Sequence, residues 1–201
     1  MQYLNASEYV SFGLDVDTAD DLVVAASAMI DAFCRRDSLG ITQYVERVRL
    51  RRGHEGQLSF LPLAPAADAT SAVVSARGRR GEPSAFSPMA CAAYAFGLAG
   101  TWEDVNSSSV MTTTDGLVQF QASWMGMAYV EAEVTYTAGY AVIPKAVKIA
   151  CAQIVKNAQA MPALNVKRQA MNGMQMEYFQ GALLDAEAQR LLQPYVVRRV
   201  G

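Results

Sequence analysis

The chain has 201 residues, enough to bury the core of one ordinary domain, or of one domain carrying a large insertion. Apolar residues make up 52% and charged residues 18%, with a net charge of -2, which argues against a disordered chain and against a uniformly basic nucleic-acid binder. That apolar excess over an ordinary soluble domain implies surface that a partner covers.

Charge is unevenly placed. Residues 1–34 hold six acids (Glu8, Asp15, Asp17, Asp20, Asp21, Asp31) and no base. Residues 35–80 hold nine arginines against four acids, and residues 144–201 eight bases against three acids. Such a split suits docking between copies or onto partners. Cys34, Cys91 and Cys151 are odd in number, far apart and without zinc spacing, so free thiols in a reducing cytoplasm are expected. No basic stretch precedes an apolar core at the N-terminus, and no signal peptide is expected. The longest uncharged run, Pro83–Trp102, is broken by Pro88, Gly97, Gly100 and serines and makes a poor membrane span.

In chain order, Asn5–Gly13 predicts a short helix, with Asn5 or Ser7 as cap and Gly13 as stop. A second helix is expected from Thr18 to about Arg36. Thr18 and Asp21 resemble a capping box, and Leu22, Val23, Ala26, Met29, Ile30 and Phe33 fall at helical spacing. Arg35 and Arg36 suit its last turn. From Ile41 to Arg52 the period shortens to two, with Val48 and Leu50 alternating with arginines, which reads as a half-buried strand. His54-Glu55-Gly56 is expected as a turn, Gln57–Leu61 and Ser71–Arg77 as strands, and Gly78–Pro83 as a charged turn. Residues 84–128 carry three charges, Glu103, Asp104 and Asp115, and read as short strands (Val118–Gln121 is one) with long loops. Two explanations stand for that composition: a segment lining an assembly, or a flexible loop.

Alternation returns at Tyr129–Tyr136, with Val130, Ala132, Val134 and Tyr136 on one face and Glu131, Glu133 and Thr135 on the other. Pro144 can open a helix whose stripe is Ala146, Val147, Ile149, Ala150, Ile154 and Val155, running to about Ala160. Val166–Arg168 and Gln175–Phe179 predict extended pieces around an Asn172-Gly173 turn. A last helix, about Leu184–Gln193, should stop before Pro194 and leave a tail, Tyr195–Gly201.

No catalytic set converges in this pattern. His54 lacks partners for a triad or a metal and is expected in a solvent-exposed turn. Asp15, Asp17, Asp20 and Asp21 lack a calcium loop and suit helix capping. Glu131 and Glu133 could pair as acid and base but suit a wet sheet face better. Gly97–Gly100 lacks the lysine of a phosphate loop. Met171, Met174 and Met176 suit packing or interface filling. No metal or other cofactor is expected. The strongest charge feature is the row Arg47, Arg49 and Arg51 with Arg52 beside it. It is a candidate for docking on a neighbouring subunit or partner, for contact with DNA phosphate, or for a solvated sheet face. Tyr195, Val196, Val197, Arg198, Arg199 and Val200 suit ordering on a partner, valines buried and arginines paired.

The strand Val134–Tyr136 followed by Ala138-Gly139-Tyr140, then Ile143-Pro144, then a helix from Lys145 through Ala150, resembles the head-tail connector (adaptor) family of lambdoid siphophages. The opening (Tyr3-Leu4, Ser7-Glu8-Tyr9 and a helix ending near Phe33–Arg36) fits the resemblance, as does Leu191–Tyr195; residues 84–128 are not clearly covered. The resemblance implies an α+β fold: a small helical bundle (about 5–36, 143–160 and 184–193) with a β-rich insertion (about 41–140) and an extended C-terminal tail (194–201), all within one adaptor domain. It implies a virion protein of the head-tail interface, or neck, made in the host cytoplasm and not an enzyme. Its expected partners are further copies of itself, about twelve in a closed ring, the portal protein, a tail-side neck or tail-completion protein, and double-stranded DNA passing through the bore without sequence specificity. No membrane partner is expected. Tyr195–Val200 would then be the portal-binding segment. The rival expectations are a tail-completion or tail-terminator protein, a small cytoplasmic enzyme working through His54 or Glu131/Glu133, and a DNA-binding module whose affinity falls steeply with salt.

Overall fold

The computed structural model describes residues 1–51, 54–65, 71–81, 92, 95–97, 100–121, 129–160, 168–171, 174–177 and 183–197. They form an α+β fold in which both ends of the chain, Met1–Ser38 and Val142–Val196, build a helical unit. The middle, Leu39–Ala141, builds a β unit with which the chain end from Val197 is grouped.

Helices α1 (Asp20–Cys34), α2 (Lys145–Ala160) and α3 (Ala186–Leu192) make the helical unit. The stripe on α1 buries Val23, Ala26, Ile30 and Cys34, and that on α2 buries Val147, Ala150, Cys151, Ile154 and Val155. Full burial of a side chain such as Ile30 or Ile154 contributes about 1.5–3 kcal/mol relative to exposure. Small residues set the approach of the two helices: the Ser27 hydroxyl lies 3.9 Å from the Cys151 sulfur. That hydroxyl also donates to the Val23 carbonyl and accepts from the Tyr3 N–H, so its burial leaves it satisfied. Burial pushes the Cys34 and Cys151 thiols up to about 11, which makes them poor nucleophiles.

Several boundaries differ from the sequence expectation. Asn5–Gly13 does form the expected short helical segment, wound as two 3-10 turns, Ala6–Glu8 and Val10–Phe12, and ending at Gly13 with φ 74°. Glu8 closes a capping box with Asn5 and is held by Lys148 of α2 at 2.5 Å, so a long-range ion pair fixes the short turns. Hydrogen bonding to Lys148 holds the Glu8 carboxyl below the usual range. Helix α1 starts after Ala19, with no side-chain cap; Thr18 is buried and 3.5 Å from the Gln159 amide. Arg35 lies past the helix end, left-handed at φ 57°, so neither it nor Arg36 is in the last turn. Pro144 precedes α2, and its carbonyl accepts from the N–H groups of Val147 and Lys148. Asp185 caps α3 by accepting from the Ala188 N–H at 2.8 Å, and it is bound by Asn157 of α2. These donors, the Ala188 N–H first, hold the Asp185 carboxyl low.

The β unit contains seven strands among the described residues: β1 (Thr42–Arg49), β2 (Glu55–Gln57), β3 (Val73–Arg80), β4 (Trp102–Val105), β5 (Met111–Thr112), β6 (Leu117–Gln119) and β7 (Tyr129–Ala138). One sheet runs β1-β7-β3-β4 and a second β2-β6-β5, with every pairing antiparallel. Glu55-Gly56 is thus strand and not turn, and Gly78–Arg80 continues β3 instead of turning. The core joins Tyr44, Val48, Leu50, Ala76, Val134 and Tyr136 of the first sheet to Leu58, Val110, Val118 and Phe120. Tyr44 stacks on Phe60 with ring centroids 4.0 Å apart.

A register shift between Arg79 and Arg80 changes which side chains turn inward. Tyr129 is buried and Val130 exposed, the reverse of simple alternation. The Tyr129 ring covers Gly78, where a Cβ would collide with it. At the far end of β7, Gly139 (φ 134°) is needed twice over: a side chain there would overlap the Gly40 carbonyl. A further hairpin, β8 (Arg168–Met171) with β9 (Met174–Glu177), follows α2; Asn172-Gly173 lies outside the described residues.

Candidate interaction surface

The outer face of the four-stranded sheet gathers most of the charges singled out in the sequence. Alternation along β1 puts Val45, Arg47 and Arg49 outward while Tyr44, Glu46 and Val48 turn to the core. Pairing registers Arg47 and Arg49 against Glu133 and Glu131 of β7, and these against Arg77 and Arg79 of β3. Arg77 faces Asp104 of β4 in turn. The result is basic, acidic and basic rows lying side by side across the sheet, flanked by the single acid Asp104 on β4. Arg47 Nε meets Glu133 Oε2 at 2.8 Å, Arg77 Nε meets Asp104 Oδ1 at 3.2 Å, and Arg79 Nη1 meets Glu131 Oε2 at 3.4 Å. The Glu133 hydrogen bond raises the Arg47 pKa further. Its guanidinium also sits 5.4 Å from the Trp102 ring centre.

Opposite charges at cross-strand positions explain why so many arginines share one sheet face. Glu131 and Glu133 are occupied with arginines in this arrangement. His54 lies in a turn, half-exposed, with Nε2 3.6 Å from Glu55 Oε1. Asp20 accepts from the Tyr9 hydroxyl at 2.5 Å, and burial, aided by that bond, pushes the Tyr9 phenol up to about 12.

Arg47, Arg49 and Arg51 also line one side of an open groove of about 420 Å3 along β1, whose other walls include Glu55, Gln57 and Leu117. Arg52 lies outside the described residues. Sequence reasoning missed the second arginine row, Arg77 and Arg79, because Arg77-Gly78-Arg79 was divided between a strand and a turn. The period-two spacing of those arginines was the available signal. It also missed Glu46, which faces the core yet is satisfied: it accepts from the Ser59 N–H at 3.0 Å, from the Ser59 hydroxyl and from the Tyr136 hydroxyl at 2.7 Å. Arg80 is the buried counterpart, ion-paired with Glu103, which also accepts from Tyr129.

At the C-terminal end, Tyr195 closes a 3-10 turn (Gln193–Tyr195) and the Val196 N–H reaches the Gln193 carbonyl at 3.4 Å. Val197 is only 5% exposed within the chain itself, so Tyr195 and Val196 are the accessible described part of this segment. Arg198, Arg199 and Val200 lie outside the described residues. Among the described residues no helix is long and apolar enough to cross a membrane.

No family model and no curated protein matches the chain. Among solved structures it is similar to a chain of "Virion of native gene transfer agent (GTA) particle". The two are 15% identical with a TM-score of 0.49, over 98% of this chain and 91% of that one.

Proposed function

We propose that the chain is a structural protein of a tailed-phage virion, a head-tail adaptor that acts by assembly and not by catalysis. Copies close into a ring at the neck, one face binding the portal and the other a tail-side protein, with DNA passing through the bore. The observation that carries this reading is the fold's construction: both chain ends build a helical unit and the middle is inserted as a β unit. That is the architecture implied by the connector resemblance of Val134–Ala150 and of the two chain ends. The arginine–glutamate face and exposed apolar residues such as Val16, Val45 and Val142 supply surface for partners.

The test is co-sedimentation of the purified chain with the portal ring of its own virion. Full-length protein is compared with a chain ending at Val197, which keeps the buried valine, and with the double variant Arg47→Glu, Arg49→Glu. Stoichiometric binding by the full chain that is lost on truncation supports the adaptor reading and portal docking by the tail. Loss only in the double variant moves portal docking to β1. Absence of binding by the full chain overturns the adaptor reading.

A further inference from the structure

The four-stranded sheet has two edges, β1 and β4, and their peptide groups can be traced. Leu50 N–H bonds the Val130 carbonyl at 2.9 Å, so even-numbered residues of β1 bond to β7. The peptide groups of Val45, Arg47 and Arg49 therefore point outward. They carry no strand partner among the described residues. Arg51, next in that outward series, is taken by Glu55 through bonds of 2.6 and 3.0 Å. On β4, the Arg80 N–H bonds the Thr101 carbonyl at 3.1 Å, which turns Thr101, Glu103 and Val105 toward β3. Trp102 and Asp104 then present their peptide groups outward, again without a strand partner among the described residues.

Bare edges attract other strands, and only matched edges do so specifically. These two match in three respects. Four antiparallel strands give edges of opposite direction, so β4 of one copy meets β1 of an unflipped second copy antiparallel. The outward-pointing residues carry side chains on the same charged face, so that face continues across the junction. The edges are opposite in charge: β1 offers arginines, and β4 offers Asp104, whose side chain is 90% exposed.

We propose that β4 of one copy pairs with β1 of the next, extending the sheet head to tail from subunit to subunit. The inference rests on the ring reading only for closure, because the same junction could equally propagate as a filament. Since Arg51 is occupied, Trp102 can reach no further along β1 than Arg49. This register places Asp104 opposite Arg47 and diagonal to Arg49, while the Trp102 indole stays over Arg47 of its own chain. The alternative register, one pair back, puts the Asp104 carboxylate opposite Val45 and leaves it only a diagonal arginine, Arg47.

Mixed cross-linking tests the junction. Full-length Arg47→Cys and Asp104→Cys chains, each with Cys91→Ser, are mixed with and without the portal ring and oxidised. Cys34 and Cys151 are fully buried and stay out of reaction. Opposed residues of a hydrogen-bonded antiparallel pair lie about 5.5 Å apart, within disulfide reach. A dimer containing one chain of each kind, several-fold over either homodimer, is expected. A mixed dimer no commoner than random pairing, in both conditions, overturns the proposal. Portal binding without the mixed disulfide removes the sheet junction and leaves the adaptor reading. A mixed disulfide without portal binding does the reverse.

Discussion

Carboxylates stand on both faces of the four-stranded sheet, and the two settings differ. On the inner face Glu46 is gripped by uncharged donors, the Ser59 N–H and hydroxyl and the Tyr136 hydroxyl, among aromatic rings. On the outer face Glu131 and Glu133 lie between arginine rows, half-buried and open to water at one side. An inward carboxylate is costly unless its oxygens are bonded, so its partners are fixed by packing. An outward one costs little and gains little, and its partners can be exchanged for those of another molecule. The inner face thus specifies the fold, and the outer face adds little to it.

The largest effect is expected from the inner packing itself. Leu58 is 1% exposed and belongs to the core shared by the two sheets. Leu58→Ala should lower unfolding free energy by about 2–5 kcal/mol in a denaturant titration. A loss near zero would mean that the two sheets do not share a core.

An intermediate effect is expected at Tyr136. Tyr136→Phe keeps the ring tilted against Tyr44 but removes a donor from Glu46 and the acceptor of the Phe60 N–H at 3.2 Å. Leaving those groups unpaired should cost about 1–3 kcal/mol. Burial, aided by Glu46, raises the Tyr136 phenol pKa, so the folded chain favours the neutral phenol. The corresponding stability is fully present below the unfolded phenol value of about 10 and is lost as pH rises above it. The wild-type chain should therefore lose stability more steeply above that pH than Tyr136→Phe. Equal alkaline slopes would remove Tyr136 from this role.

What could be read in the sequence divides along the same line. Strand β1, the alternation in β7, and helices α1 and α2 were legible because each is a long periodic run with one buried face. The short helical segment Asn5–Gly13, capped at Asn5 and stopped at Gly13, was legible too, although its 3-10 winding and its tie to Lys148 from 140 residues away were not. The mistakes lie where tertiary contact overrides local pattern. Tyr129 and Val130 exchange faces at a register shift that alternation alone cannot place. The arginine row on β1 was legible as charge. Its partners were not, because the spatial order β1-β7-β3-β4 is not the order in sequence. Glu131 and Glu133, weighed in the sequence as an acid-base pair or a wet face, acquire their setting only when β1 and β3 flank them.

The smallest effect on stability, and the most diagnostic in sign, should come from the outer face. Glu131→Gln with Glu133→Gln removes the acidic row and leaves Arg47, Arg49, Arg77 and Arg79 facing one another across it. In the wild-type chain, neighbouring rows attract, and added salt weakens that attraction, so the thermal midpoint should fall slightly between low and moderate ionic strength. In the double variant, neighbouring rows repel, and salt relieves the repulsion, so the midpoint should rise over the same range. The net change at physiological salt should be smaller than that of Tyr136→Phe, because these side chains are partly hydrated and screened. A reversed slope with little net loss would show that the outer charges are matched row against row without holding the fold. A loss as large as that of Tyr136→Phe would make the outer face part of the folding core and erase the distinction between the two faces.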